Sequence, residues 1–210
     1  MTGSFIACWP AAPLPPLALV AFSSVRIFDH ERRRVLDRLR AAVGALRAGG
    51  VIACPTEAVW GLSCAPDNDE ALAHLMRIKA RDPAKGVILV AASIEQFQPW
   101  LNQLPLELHA PLAASWPGPN TWLVPDNGRS HGLVRGAHQS VALRVTDHPL
   151  MKALCEAFGG PLVSTSANRA GDPPAMSAEE VATIFGDDVA AIGIGFTGYP
   201  ACEGHGAEVV

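Results

Sequence analysis

Three cations lie close together in the segment KARDPAKG, residues 79–86. Lys79, Arg81 and Lys85 fall within seven positions of a 210-residue chain that is only 17% charged and carries a formal net charge of −4. Lys79 continues the apolar stripe of the helix predicted before it, and Pro83 stiffens the loop, so these charges are expected to point inward. Such a cluster suits a triphosphate. The alternative is that Lys79 and Arg81 complement a helix dipole and that Lys85 is solvated.

Arg144 lies inside the predicted strand VALRVT, residues 141–146, where side chains alternate between the two faces of a sheet. A charged side chain in a strand needs a partner. One interpretation is a structural salt bridge to Asp147 or Glu57. The other is a planar fork that binds a carboxylate or phosphate where the strands open. The residue alone leaves both interpretations open.

A third polar group follows the apolar run PLV directly, in the sequence STSAN at residues 164–168. Ser164, Ser166 and Asn168 therefore stand where a strand ends, and ligands of α/β sheets bind at strand ends. Their hydroxyls and amide could bind phosphate or ribose oxygens. Serine and asparagine also form ordinary turns and helix caps, so this motif alone is weak.

Several functions are disfavoured by composition and by missing motifs. Sixteen basic and twenty acidic residues give no overall attraction to nucleic acid, so an anion site must be local. The sequence has no G-x-x-x-x-G-K-[ST] and no H-E-x-x-H, and its seven histidines are scattered, so we expect no protein-held metal. Five widely spaced cysteines without a C-x-x-C pair fit a reducing cytoplasm, and we expect no membrane span.

The elements that must position these residues alternate between helices and strands. A helix is predicted from Asp29 to the glycines at 49–50, followed by a buried strand at 51–54 and a loop at 55–64. Asp67 with Glu70 resembles a capping box for the next helix. Further strands and helices follow, with a loop at 126–139, which together predict an α/β sheet of mixed direction covered by helices.

Three regions are predicted along the chain. Residues 1–28 form an apolar, proline-rich arm, residues 29–198 a single domain, and residues 199–210 a divergent or truncated tail.

Five motifs, in chain order, carry a resemblance to a known family. PTEAVWGLSCAPDNDEAL, KARDPAKG, WPGPNTW, VALRVTDHP and PLVSTSAN resemble the YrdC-like family, the threonylcarbamoyl-adenylate synthases, and look closest to its short bacterial TsaC branch. The resemblance runs from about residue 42 to residue 185. It implies an open twisted mixed sheet flanked by helices, with a basic concave cleft.

The resemblance also implies a reaction and its partners. L-threonine, bicarbonate and ATP would be joined into threonylcarbamoyl-AMP and pyrophosphate, with Mg²⁺ held mainly by the ATP phosphates. A t6A transferase machinery of the TsaD/TsaB/TsaE type would then pass the group to adenosine 37 of tRNA, the t6A37 modification. The family's motifs imply ATP binding by Lys79, Arg81, Lys85, Ser140, Ser166 and Asn168, with Lys79 and Arg81 catalytic. They imply threonine binding by Thr56, Glu57, Ala58, Arg144 and Ser164.

The sequence departs from the family pattern in a few places. Ala58 stands where many relatives have threonine, Trp60 where tyrosine or phenylalanine is usual, and Asp82 where K-x-R is followed by proline. The final residues, 195–210, lack the P-S-T or P-S-E segment that helps close the pocket in relatives, so we expect altered turnover. A second interpretation is a YrdC-like module that binds RNA, in ribosome maturation, without synthase activity. For the synthase itself only weak RNA binding is expected.

Overall fold

The structure, a computed structural model, describes residues 29–192. The arm predicted for residues 1–28 and the tail predicted for residues 199–210 lie outside the described residues. The described helices are α1 Asp29–Arg47, α2 Asp69–Lys79, α3 Gln98–Leu101, α4 Leu106–Ser115, α5 Gly132–Arg135, α6 Pro149–Phe158 and α7 Ala178–Phe185. The described strands are β1 Ile52–Pro55, β2 Trp60–Cys64, β3 Ile88–Ala91, β4 Trp122–Pro125, β5 Ser140–Val145, β6 Leu162–Ser166 and β7 Ala191–Ile192.

These strands form one open sheet in the order β4-β5-β3-β6-β2-β1-β7. Pairing is antiparallel between β1 and β2, β2 and β6, β6 and β3, and β4 and β5, and parallel between β3 and β5 and between β1 and β7. The α/β architecture with a sheet of mixed direction is therefore confirmed.

One face of the sheet carries the larger part of the apolar core. Leu62, Leu89 and Leu143 point to this face and form one cluster with Leu75 of α2 and Leu112 of α4, and all five side chains are fully buried. Burial of this apolar area is the main force that holds α2 and α4 against the sheet.

The opposite face is covered by helices over part of its area. Ile52 and Leu162 pack there against Leu46 of α1 and Leu154 of α6. Toward the β4 edge the same face opens, since Leu123 is 50% exposed. A ligand can therefore reach the sheet surface beyond the two covering helices.

The start of α2 differs from the prediction. Asn68, not Asp67, is the N-cap, and its Oδ1 accepts a hydrogen bond of 2.8 Å from Ala71 N. The helix ends at Lys79 because Ala80 takes a left-handed conformation (φ +48°). Lys79 is buried, as its place in the apolar stripe predicts. The turn at Ala80 leads directly into the cationic loop, residues 81–86.

Two stretches predicted as loops contain regular elements. Residues 55–64 include β2, which forms a tight hairpin with β1. Thr56 closes the turn, since its N donates to Val59 O at 3.2 Å and its Oγ1 donates to the same oxygen at 2.7 Å. Residues 126–139 include α5, whose start is capped by His131 Nδ1 accepting from Leu133 N at 3.0 Å.

Two glycines hold the cationic loop against α5. Gly86 has a φ of +58°, and a Cβ there would lie 2.6 Å from Val134 O. Gly136 has a φ of +67°, and a Cβ there would collide with the backbone of Ala84. Ala137 N donates to Ala84 O at 2.9 Å across the same contact. Glycine alone combines this conformation with this close approach.

The contact gives a stability prediction. Gly86→Ala should lower the free energy of unfolding by about 2–5 kcal/mol, because it adds a steric clash to the cost of a left-handed backbone. Gly128→Ala is the matched control, since Gly128 has a φ of +87° but no atom within 4 Å of its added Cβ. Gly128→Ala should lower the free energy of unfolding, measured by urea denaturation, by only about 1–2 kcal/mol. Equal losses for the two variants would contradict the tight contact.

Candidate active site

Strand pairing places the polar residues of β5 and β6 on the face that opens to solvent. Ser164 lies opposite Ile88, Ile88 lies opposite Ala142, and Val90 lies opposite Arg144. Directly paired residues point to the same side and side chains alternate along each strand. Ser164 and Arg144 therefore share one face.

The β1–β2 hairpin folds over this face. A Cβ at Gly61 would lie 3.0 Å from Thr56 Cγ2 and 3.7 Å from Ser164 Oγ, so the missing side chain lets the turn approach the sheet. Thr56 and Ser164 are both buried, while Glu57 and Ala58 are half-buried in the same turn. Thr56 Cγ2 and Ser164 Oγ therefore both lie next to the space above Gly61.

Arg144 is paired with Glu57 and not with Asp147. Glu57 Oε2 lies 3.7 Å from Arg144 Nη2, and both side chains are largely buried. Glu57 Oε1 accepts from Thr146 Oγ1 and, at 3.3 Å, from the backbone N of Asp147. The structure thus brings Thr56, Glu57, Arg144 and Ser164 together; we call these four residues the Glu57–Arg144 cluster.

The two charged side chains of this cluster, Glu57 and Arg144, form an ion pair but leave some of their polar atoms without a hydrogen bond. Burial by itself raises the pKa of the Glu57 carboxyl, but the Arg144 guanidinium and the Thr146 hydroxyl outweigh it and hold the pKa below its ordinary value. Glu57 Oε2 and Arg144 Nε are buried and have no hydrogen-bond partner among residues 29–192. Unsatisfied buried polar atoms are rare and call for an explanation. A bound polar ligand would satisfy both atoms.

A second group gathers at the end of β6. Lys79 Nζ donates to the carbonyl oxygens of Ser166 and, at 2.8 Å, Asn168, and to Asn168 Oδ1 at 3.3 Å. Ser166 Oγ donates to the same Oδ1 at 2.6 Å. Ser166 lies opposite Gly61, on the face that carries Ser164. We call Lys79, Ser166 and Asn168 the lysine network.

The remaining predicted residues surround these groups less tightly. Arg81 Nε donates to Gly86 O at 2.9 Å, which fixes the start of its side chain across the cationic loop. Lys85 is exposed on that loop. Ser140 is the half-buried first residue of β5, on the face of Arg144. Within residues 29–192, neither Lys85 nor Ser140 forms a hydrogen bond or an ion pair with either group.

A covalent nucleophile does not emerge from the described residues. GRSHG, residues 128–132, has the spacing of a nucleophile elbow. Ser130 Oγ, however, accepts from Trp100 Nε1 at 3.0 Å, while both ring nitrogens of His131 are used by Leu133 N and by Asp69 at 3.0 Å. Burial raises the pKa of Cys54 to about 11, so this thiol stays protonated at neutral pH.

The sequence also contains the glycine spacing of a dinucleotide-binding turn, G-x-G-x-x-G, at residues 193–198. This segment lies outside the described residues.

Residues 29–192 contain neither a cluster of metal ligands nor a membrane-spanning helix. No three His, Cys, Asp or Glu side chains in this range are grouped so that they could hold a metal ion. No helix in the range is long and apolar enough to cross a bilayer.

Sequence reasoning misses two residues of the site. The pattern predicts Thr146, which fixes Glu57, only as the end of a strand. It places Gly61 in a loop, although glycine inside an apolar run signals a close approach of another backbone.

The arrangement defines an open, mixed α/β sheet with an arginine–carboxylate pair and a lysine network on one face. The Sua5/YciO/YrdC family model, described as "Telomere recombination", matches residues 44–195. The chain belongs to this family. A "Threonylcarbamoyl-AMP synthase" of Chromohalobacter salexigens is 60% identical over 163 residues, which cover 78% of this chain and 88% of the relative. One of Saccharophagus degradans is 51% identical over 165 residues, with 79% and 86% covered.

Solved structures agree on the fold. Sua5 of P. abyssi in complex with L-threonine is 30% identical with a TM-score of 0.69, and the match covers 73% of this chain and 45% of that protein. YciO of E. coli, at 22% identity and a TM-score of 0.66, shows the same fold. The family resemblance and the fold expected from the sequence are both confirmed.

The lowered pKa of Glu57 gives a pH prediction. A carboxyl with a lowered folded-state pKa stabilises the fold fully above its unfolded-state pKa, about 4.3, and this contribution is lost as the pH falls through the folded-state value. Wild type should therefore lose more free energy of unfolding than Glu57→Gln between about pH 6 and about pH 3.5. Urea denaturation at both pH values measures the difference.

Glu107→Gln is the control for this comparison, because it removes an exposed carboxylate of α4. Its stability should follow that of wild type across the same range. Parallel profiles for Glu57→Gln and wild type would contradict the ionised Glu57–Arg144 pair.

Proposed function

We propose that this chain is a threonylcarbamoyl-AMP synthase, which joins L-threonine, bicarbonate and ATP into threonylcarbamoyl-AMP and pyrophosphate. The observation that carries the proposal is the Glu57–Arg144 cluster, in which a buried guanidinium keeps an unused Nε. Amino-acid recognition needs such a group, because a guanidinium binds a carboxylate through two parallel hydrogen bonds.

The Glu57–Arg144 cluster forms the threonine end of the site. Arg144 binds the carboxylate, and Glu57 holds the guanidinium in place through their ion pair of 3.7 Å. The Thr56 and Ser164 side chains, which converge over Gly61, line the pocket, and the backbone of Ala58 completes the turn. The short hydroxylated side chains of Thr56 and Ser164 suit an amino acid whose own side chain is short and hydroxylated.

The ATP end lies between the cationic loop and the end of β6. Arg81 and Lys85 supply positive charge from the loop, and Ser166 supplies a hydroxyl from the strand, with Lys79 and Asn168 directly behind it. Ser140 lies on the same face at the start of β5. Lys79, Arg81 and Lys85, together with Arg144, form the basic concave cleft that is expected for the family.

The reaction requires positioning rather than a protein nucleophile. The threonine amine attacks the carbon of bicarbonate, and a C–O bond breaks with loss of water to give a carbamate. A carbamate oxygen then attacks the α-phosphorus while the bond to the leaving pyrophosphate breaks. The arginines and lysines hold the carbamate next to the α-phosphate and stabilise the negative charge that develops during the attack. Mg²⁺ enters as part of the nucleotide substrate, bound to its phosphates, where it neutralises charge.

The product determines what must follow. Threonylcarbamoyl-AMP is a reactive mixed anhydride, so a transferase must accept its threonylcarbamoyl group soon after release. We assign that role to t6A machinery of the TsaD/TsaB/TsaE type acting on adenosine 37 of tRNA. The synthase is favoured over the RNA-binding module, because a buried arginine–carboxylate pair serves a small ligand better than an extended polyanion.

Arg144→Lys tests the threonine end. Lysine keeps the charge but loses the planar fork, so the threonine KM should rise by about tenfold to hundredfold while ATP affinity stays within about twofold. Pyrophosphate release from ATP, bicarbonate and labelled threonine measures the first quantity, and calorimetry measures the second. Normal threonine use by the variant, together with tight RNA binding by wild type, would favour the RNA-binding module instead.

Arg81→Ala tests the ATP end. The variant should fold and bind ATP more weakly by about 1.5–3 kcal/mol, or about 10–150-fold in Kd, because a charged hydrogen bond is lost. Arg77→Ala is a matched control, since Arg77 is an exposed arginine in the last turn of α2. Unchanged ATP affinity in folded Arg81→Ala would remove Arg81 from the site.

A further inference from the structure

The ammonium group of Lys79 has no hydrogen left for a ligand. Lys79 is only 3% exposed. Its Nζ donates to Ser166 O, Asn168 O and Asn168 Oδ1. An ammonium has three hydrogens, and all three have protein acceptors here.

The amide of Asn168 is equally occupied. Its Oδ1 accepts from Lys79 and from Ser166 Oγ, and its Nδ2 donates to Arg169 O at 3.0 Å and to Asp172 O at 2.7 Å. A side-chain amide has two donor hydrogens and two acceptor lone pairs, so this one is fully used. Of the three side chains of the lysine network, only that of Ser166 keeps free capacity: its hydroxyl hydrogen goes to Asn168 Oδ1, but its oxygen can still accept a hydrogen bond from the open side of the sheet.

We propose that Lys79 is a positioning residue, whose ammonium, together with Asn168, holds Ser166 in the conformation that binds the nucleotide and does not itself contact phosphate. This inference rests on the proposed function. It differs from the direct phosphate contact that the family resemblance implies for the K-x-R lysine.

Further contacts make the last turn of α2 and the segment after β6 one unit. Ala170 N donates to Lys79 O at 2.8 Å, and Arg169 Nη1 donates to Ile78 O at 3.0 Å. If Nζ moved toward a phosphate, it would leave the carbonyls of Ser166 and Asn168 unpaired in a buried place, which is costly. Burial, together with the nearby Arg81, lowers the pKa of Lys79 to about 8, and the three oxygen acceptors favour its charged form.

Nitrogen-15 NMR of the lysine side chains tests the proposal on wild-type protein. The chain has three lysines, Lys79, Lys85 and Lys152, and the last two are exposed. At about pH 6 the Lys79 ammonium should be charged, and it should give a slowly exchanging signal because it is buried and bonded. Added ATP should leave this signal protected and without magnetisation transfer to phosphorus-31.

Two outcomes of this experiment are distinguishable. Transfer between Lys79 Nζ and an ATP phosphorus, with binding seen by calorimetry, would overturn the positioning role alone. Failure of wild type to bind ATP at all would overturn the proposed function, and this inference with it.

A double-mutant cycle gives an independent test. Lys79→Met and Ser166→Ala should each raise the ATP Kd and KM, with the threonine KM unchanged, and the double variant should be no more than about twofold worse than the poorer single. If the increase in ATP Kd of the double variant equals the product of the two single increases, Lys79 and Ser166 contact the nucleotide independently, and the proposal is overturned. Lys152→Met, the same change at an exposed lysine of α6, should match wild type. If Lys79→Met does not fold, the NMR experiment on wild type decides.

Discussion

The placement of β6 at the middle of the sheet determines where the site can form. β6 is hydrogen-bonded to β2 on one side and to β3 on the other, both antiparallel. Because its register is fixed along both edges, Ser164 and Ser166 must point to the face that α1 and α6 cover incompletely. The hairpin turn at Thr56 can reach Ser164 because the intervening residue on β2, Gly61, has no side chain. A shift by one residue in β6 would turn both serines into the apolar core.

Two buried cations lie near this strand, and the protein compensates their charges in different ways. Arg144 is opposed by the carboxylate of Glu57 at 3.7 Å, a pairing that leaves Nε without a partner in the described structure. Lys79 is opposed by three oxygens that carry no net charge. Removing a charge from water is costly unless its hydrogen bonds are replaced. Lys79 is therefore saturated, whereas Arg144 retains the capacity to bind an anion.

The sequence predicts most of the sheet because its strands are short apolar runs that end in turn signals. The prediction is wrong for β2, since WGLSC has no period-two pattern; all five residues are buried, and such strands cannot be distinguished from loops by alternation. It also omits α4, which contains Pro111. For the site, the spacing of residues predicts that Lys79 points inward and that Arg144 pairs with Glu57 or Asp147. The sequence does not predict which of these two carboxylates is the partner, because the answer depends on how the hairpin folds over the sheet.

The two ends of the proposed site are separated by one step along a strand. Ser164 belongs to the threonine end and Ser166 to the ATP end, and residues two apart on a strand are about 7 Å apart on the same face. A carbamate built on the threonine amine extends a few ångströms toward the α-phosphate, so this spacing suits an attack between substrates bound at neighbouring positions. The lysine network fixes Ser166 and the hairpin fixes the pocket around Ser164. In the proposed site, the distance between the two substrates is consequently set by the backbone of β6, which is paired along both of its edges.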